Sequence, residues 1–282
     1  MQNIDPVYLL SPVIILALSF GLVFFWSKKR SFSKWALLYS LAAYAGAIVL
    51  KEIIQVATID AVQSAHNTAL LGIYYGTQTA IFEVGGAFLV ASYAVSKGHF
   101  KKRDAESFGL GLAFWENGVL IGIPLLLNYV TYYLILTTPN SSLAETVYSA
   151  LLKDSPNLFN GPYRALAIVG LSVLERISSL FAHFSWGFLA VVSAIYRRRD
   201  LITLVLPVGF LIDFLVPFAS RMGTAEFELI IFTIGSVGLI VSLLIRRKER
   251  WDDRSNEGSS TTPTSRPDSI GEVDQPKSTT RN

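Results

Sequence analysis

Seven long runs of apolar residues, each closed by a short polar segment, set the pattern of this chain. They cover roughly 7–26, 35–55, 69–96, 107–134, 164–196, 201–218 and 225–245. A helix rises about 1.5 Å per residue, so about 20 apolar residues cross the hydrocarbon of a bilayer. The pattern therefore predicts an all-α, polytopic transmembrane helix bundle of about seven spans. Two runs are irregular. The fifth, Arg164 to Tyr196, is about 50 Å long as one helix and must tilt, project or break, with Gly170 and Gly187 as candidate breakpoints. The fourth carries Pro124, which leaves a carbonyl one turn earlier without its N–H partner and predicts a kink. Between these runs, Ser142 to Leu152 reads as an amphipathic piece lying at the membrane surface.

Composition agrees with this class. The chain is 282 residues long and 51% hydrophobic, with mean hydropathy +0.45 and only 16% charged residues. A soluble domain carries about 25% charged residues. There is no cysteine, which excludes disulfides, zinc–thiolate sites and cysteine nucleophiles. A net charge of +3 gives no argument for nucleic acid. The basic residues cluster instead at span ends: Lys28, Lys29, Arg30 and Lys34; Lys97, Lys101, Lys102 and Arg103; Arg197, Arg198 and Arg199; Arg246, Arg247, Lys248 and Arg250. All fall on one side, against Lys51, Lys153, Arg164 and Arg221 on the other. Cytoplasmic loops hold the excess of Lys and Arg, so the N-terminus is expected outside and the C-terminus inside a cell membrane. Met1 to Tyr8 lacks a basic n-region, and the first run reads as an uncleaved helix. Residues 1–250 form the expected bundle. Residues 251–282, rich in Ser, Thr, Pro and acidic residues, are expected to be a disordered cytosolic tail.

Five ionisable residues lie inside the apolar runs: Glu83, Glu116, Glu175, His183 and Asp213. A charge in hydrocarbon costs about 2.5–3.5 kcal/mol on insertion scales, so such residues face a protein interior or a wet cavity. Counting from the inner end of each run puts Glu83, Glu116, His183 and Asp213 at depths of roughly 14–20 Å, one layer of the membrane. Glu175 lies about two turns further outward. Arg176, seven residues before His183, shares its helix face and is a partner for one of the carboxylates. Two chemistries suit this set. A divalent metal such as zinc could be held by Glu116, His183 and Asp213 with a position left for water. Without a metal, a carboxylate could act as general base on water while His183 binds the oxyanion. The plainer readings are an interhelical hydrogen-bond network that fixes helix register, or an ion or proton pathway. His66 and His99 fall in loops and read as solvated. Gly85, Gly86, Gly109, Gly111 and Gly118 read as close-packing positions.

Four stretches carry a family resemblance. Ile81-Phe82-Glu83-Val84-Gly85-Gly86-Ala87, Phe108-Gly109-Leu110-Gly111-Leu112-Ala113-Phe114-Trp115-Glu116, and Leu174-Glu175-Arg176 followed by His183 come in that order, with Asp213 on a later run. This order resembles the YhfC-type intramembrane metalloprotease family, a relative of CAAX-prenyl and bacteriocin-processing membrane peptidases. The family's Glu-Glu-x-x-Arg and Gly-x-Gly-His-Gly-x-x-Glu helices would align so that Val84, Ala87 and Leu112 replace a glutamate, an arginine and a histidine. The resemblance implies the family fold with either a rearranged peptidase site or a degenerate one. In an active protein, Glu116 or Glu83 would be the base, Glu175 and Arg176 would lie in the same catalytic region, and a membrane protein or peptide would be the substrate. A reading of another class is a non-enzymatic membrane subunit that anchors or assembles a complex, for example a respiratory one. A proton-coupled carrier would require broken helices in an inverted repeat, which the sequence does not display.

Overall fold

The computed structural model describes residues 3–30, 32–138 and 142–259. Seven helical spans are long and apolar enough to cross a membrane: Pro6–Lys29, Lys34–Gln63, Thr68–Ser96, Asp104–Thr137, Pro162–Tyr196, Asp200–Arg221 and Thr224–Lys248. No strand occurs among the described residues. Within hydrocarbon no water is present to satisfy backbone N–H and C=O groups, and each helix satisfies its own. Large side chains on the outer faces, such as Val56 and Leu89, are exposed as lipid-facing groups would be. The chain is a multi-pass membrane protein.

In chain order the helices are α1 (Leu10–Arg30), α2 (Lys34–Gln63), α3 (Thr68–Gln78), α4 (Gly86–Ser96), α5 (Asp104–Ala113), α6 (Ile123–Thr137), α7 (Ser142–Asp154), α8 (Pro162–Tyr196), α9 (Asp200–Thr203), α10 (Leu206–Leu215) and α11 (Thr224–Ser259). Local chemistry sets several ends. The Asn67 side chain accepts from the N–H groups of Ala69 and Leu70 at 3.0 and 3.1 Å and caps α3. Pro162 opens α8, where its missing N–H costs nothing. Arg197, at φ 54°, closes α8 in the left-handed region, its N–H bonded to the Ser193 carbonyl. Residues up to Leu243 form one compact unit, and the rest of α11 belongs to a second. The expected tail began at 251. Helix α11 continues to Ser259, and 260–282 lie outside the described residues.

α8 is the central post. Every residue from Ala182 to Ser193 is buried, and α5, itself buried along its whole length, packs along it. Of the three alternatives for this span, a break does not occur: α8 runs unbroken for 35 residues. Gly187 serves instead as a crossing point. A Cβ placed there would meet the Gly109 Cα of α5 at 2.5 Å, and one on Gly109 would meet the Phe184 carbonyl oxygen at 2.6 Å. Gly170 has open space around it. α3 and α10 make a second close seam, with Gly72 and Gly76 facing the Phe214 and Phe210 backbone, the small-xxx-small spacing that lets helices approach in membranes. The N-terminal end of α8 is sheathed by protein: Ala165 and Val169 join Ile4, Tyr8, Leu136 and Phe159 in a separate apolar cluster, onto which Val147, Tyr148 and Leu151 of α7 pack.

Two spans depart from regular α geometry. Thr79–Gly85 and Phe114–Gly122 are π-helical, with hydrogen bonds spanning i to i+5. The second takes the place of the simple kink expected from Pro124, which sits just after it at the start of α6. Such turns are rare, lose ideal packing and concentrate at functional sites. Each of these carries one of the intramembrane glutamates.

Candidate functional site

Glu83, Glu116, Glu175, Arg176, His183 and Asp213 all line one cavity of about 240 Å³. The two π turns supply Glu83 and Glu116, α8 supplies Glu175, Arg176 and His183, and α10 supplies Asp213. At the centre is His183, itself 4% exposed. Its Nδ1 lies 3.0 Å from the Ser179 carbonyl one turn earlier. A carbonyl can only accept, so Nδ1 is the donor at that contact. Trp186 and Tyr44 hold the ring from two sides, with centroids 4.4 and 5.8 Å away.

The carboxylates face this imidazole in a common manner. Glu116 Oε2 is 2.8 Å from His183 Nδ1, and Glu83 Oε2 is 3.3 Å from His183 Nε2. Both are ion-pair approaches, and Glu116 Oε2 and His183 Nε2 are buried with no other partner. Glu116 Oε1 takes Arg176 Nη1 at 3.3 Å, while Arg176 Nη2 binds the neighbouring Glu175. Asn117 Nδ2 donates to the Arg176 carbonyl at 3.1 Å and helps to fix this arm.

Asp213 is in the cavity but not on the histidine. It accepts from Thr79 Oγ1, and its Oδ2 lies 2.9 Å from Lys51 Nζ. Lys51 stands elsewhere than its sequence context suggests. With the second span ending near 55, Lys51 fell at the edge of that span; α2 in fact runs to Gln63, and Lys51 sits well inside it. Its ammonium also contacts Glu83 Oε1 at 2.6 Å. One signal was legible: among the basic residues outside the four clusters, Lys51 lies between apolar stretches instead of in a loop. Thr79, one helical turn before Glu83, and Asn117 had no comparable signal.

Acids and one imidazole, gathered in a polar cavity within a seven-span helical bundle, mark the class of polytopic membrane proteins that keep a polar site inside the bilayer. The chain belongs to the YhfC intramembrane metalloprotease family, which it matches over residues 14–234. No match was found among curated proteins or solved structures.

The family's description implies a metal. The donor set of this chain does not fit one well. His183 is the only histidine lining the cavity among the described residues, Glu83 and Asp213 each turn an oxygen to Lys51, and Glu116 turns one to Arg176. Among the described residues no three His, Asp or Glu side chains close around a common point. A zinc site needs its nitrogen and oxygen ligands within about 2.0–2.2 Å of the ion. Of the expected ligands, Glu116 and His183 are together and Asp213 is on Lys51 and Thr79.

The π turns give a first prediction. Inserting one alanine after Val119, which the already wide turn cannot absorb, turns Glu116 by about 100° relative to the residues beyond it. We expect a protein with unchanged helix content by circular dichroism that lacks the Glu116–His183 approach and any turnover that depends on it.

Proposed function

We propose that this chain is a membrane-embedded peptidase of its family that activates water with Glu116 and His183 and needs no step through a metal. The observation that carries the reading is the 2.8 Å approach of Glu116 Oε2 to His183 Nδ1, with both residues lining one cavity. Water donating to Glu116 Oε2 attacks the peptide carbonyl; the new C–O bond forms as the proton passes to Glu116. Breakage of the C–N bond returns that proton to the leaving amine. Arg176 holds Glu116 in place from its other oxygen, and the aromatic walls at Tyr44 and Trp186 fix the imidazole. The position of the cavity among apolar spans favours a membrane-spanning or lipid-inserted peptide as substrate. The distribution of basic residues supports a cell membrane with the N-terminus outside.

The test uses protein purified into nanodiscs, a pool of synthetic membrane peptides and ¹⁸O-labelled water. The expected result is new C-termini carrying one ¹⁸O, with the rate reduced about 10²–10⁴-fold in Glu116→Gln, the usual range for a general base. Peptides left intact by a well-folded wild-type protein would sink the hydrolytic reading.

A second reading is supported by Lys51 and Arg176. With both cations paired to acids inside the bundle, the cluster can hold helices together without chemistry, as in a non-enzymatic subunit that anchors or assembles a membrane complex. In that case a stoichiometric partner should co-purify from native membranes.

A further inference from the structure

We propose that Lys51 is the resident cation of this site: its ammonium occupies the point between Glu83 and Asp213 that a metal ion would otherwise take, and it sets which oxygen of Glu83 faces His183. An ammonium has three N–H donors. Three acceptors surround this one, Glu83 Oε1 at 2.6 Å, Asp213 Oδ2 at 2.9 Å and Thr79 Oγ1 at 2.8 Å. They come from the first π turn and α10, while Lys51 comes from α2. The group is therefore saturated and cross-links three segments of the bundle.

The charge pattern says why the position must be filled. Glu83 and Asp213 share Lys51, and the single Thr79 hydroxyl donates to Asp213 with Glu83 Oε1 3.3 Å away, so the two acids face the same small volume. Like-charged carboxylates in a water-poor interior repel strongly, and a cation between them offsets the repulsion. A metal ion and the lysine ammonium compete for that place. Once Glu83 Oε1 is tied to Lys51, Oε2 is the oxygen left to face His183 Nε2 at 3.3 Å. Lys51 thus acts on the imidazole through Glu83, as a positioning residue.

The inference concerns which cation fills the cavity and holds whether or not peptides are cleaved. It is tested by metal content and thermal unfolding of protein in nanodiscs after equilibration with Mn²⁺ or Zn²⁺ and washing. Wild-type protein and Lys51→Arg should retain far less than one ion per chain and unfold at the same temperature with or without the metals. Lys51→Ala should unfold several degrees lower. It should then take up one divalent ion per chain, and regain stability with that ion or with methylammonium, but not with tetramethylammonium, which is too bulky and has no N–H. A Lys51→Ala protein that can be purified only with methylammonium present also supports the assignment. Stoichiometric zinc in the wild type that is lost in His183→Ala would overturn it, as would a Lys51→Ala protein indifferent to both metals and methylammonium. If Lys51→Ala never folds under either condition, the metal content of the wild type decides. Failure of peptide turnover leaves all these outcomes unchanged, so the two proposals fail separately.

Discussion

Replacing His183 with Ala and Glu116 with Gln, singly and together, should give three proteins with the same residual turnover. Each single change is expected to cost about 10²–10⁴-fold, and the double change little more, because the two side chains act as one unit on the same water. The structural basis is the 2.8 Å approach of Glu116 Oε2 to His183 Nδ1, with the ring fixed by the Ser179 carbonyl. A purely structural role predicts something else. Each substitution would then lower the unfolding temperature by its own amount, and any activity would follow the folded fraction. Comparing turnover per folded molecule, with folding read by intrinsic tryptophan fluorescence, separates the two. Additive losses that track stability would rule out a shared catalytic role.

The second large effect falls on the crossing of α5 and α8. Gly187→Leu or Gly109→Leu should abolish recovery of monodisperse protein, whereas Gly170→Leu, on the same helix as Gly187, should be recovered at the wild-type level. At Gly187 the nearest atom to an added Cβ is the Cα of Gly109, and at Gly109 it is the Phe184 carbonyl oxygen. Neither neighbour is a side chain that can swing away, so the helices themselves must separate. Overpacking of a side-chain core costs about 1–3 kcal/mol. Here the separation also pulls His183, one turn from Gly187, away from the glutamates, so the penalty exceeds that range. Gly170 has nothing within 4 Å, and a leucine there enters open space. Size-exclusion profiles of the three variants in detergent check the prediction.

The seven spans were legible because hydrophobic runs of this length have one physical solution in a bilayer. Their ends were less so. The C-terminal part of α2 carries Glu52, Gln55 and Asp60 among its apolar residues, and hydropathy falls there while the helix continues to Gln63. Placing the end near 55 is why Lys51 read as a loop-edge charge. Depth counting did place Glu83, Glu116, His183 and Asp213 in one layer, and they share one cavity. Depth, however, does not say which oxygen faces which nitrogen. The π turns rotate Glu83 and Glu116 relative to an α-helical count, and no residue pattern announces an i to i+5 ladder. Gly187 shows the converse difficulty. A glycine in a long helix reads equally as a hinge and as a contact, and only the partner helix, through Gly109, distinguishes them.

The pairing of Lys51 with Glu83 also bears on how the protein is made. The two lie 32 residues apart on successive spans, α2 and the span Thr68–Ser96, so both leave the ribosome before the fourth span is complete. A hairpin of these two spans carries a Lys–Glu pair in place of a lone lysine, whose insertion by itself costs about 2.5–3.5 kcal/mol. Asp213, which joins the same ammonium from 162 residues downstream, is synthesised much later, when a partner is already in place to receive it. The order of the chain thus brings the lysine its first acid well before its second.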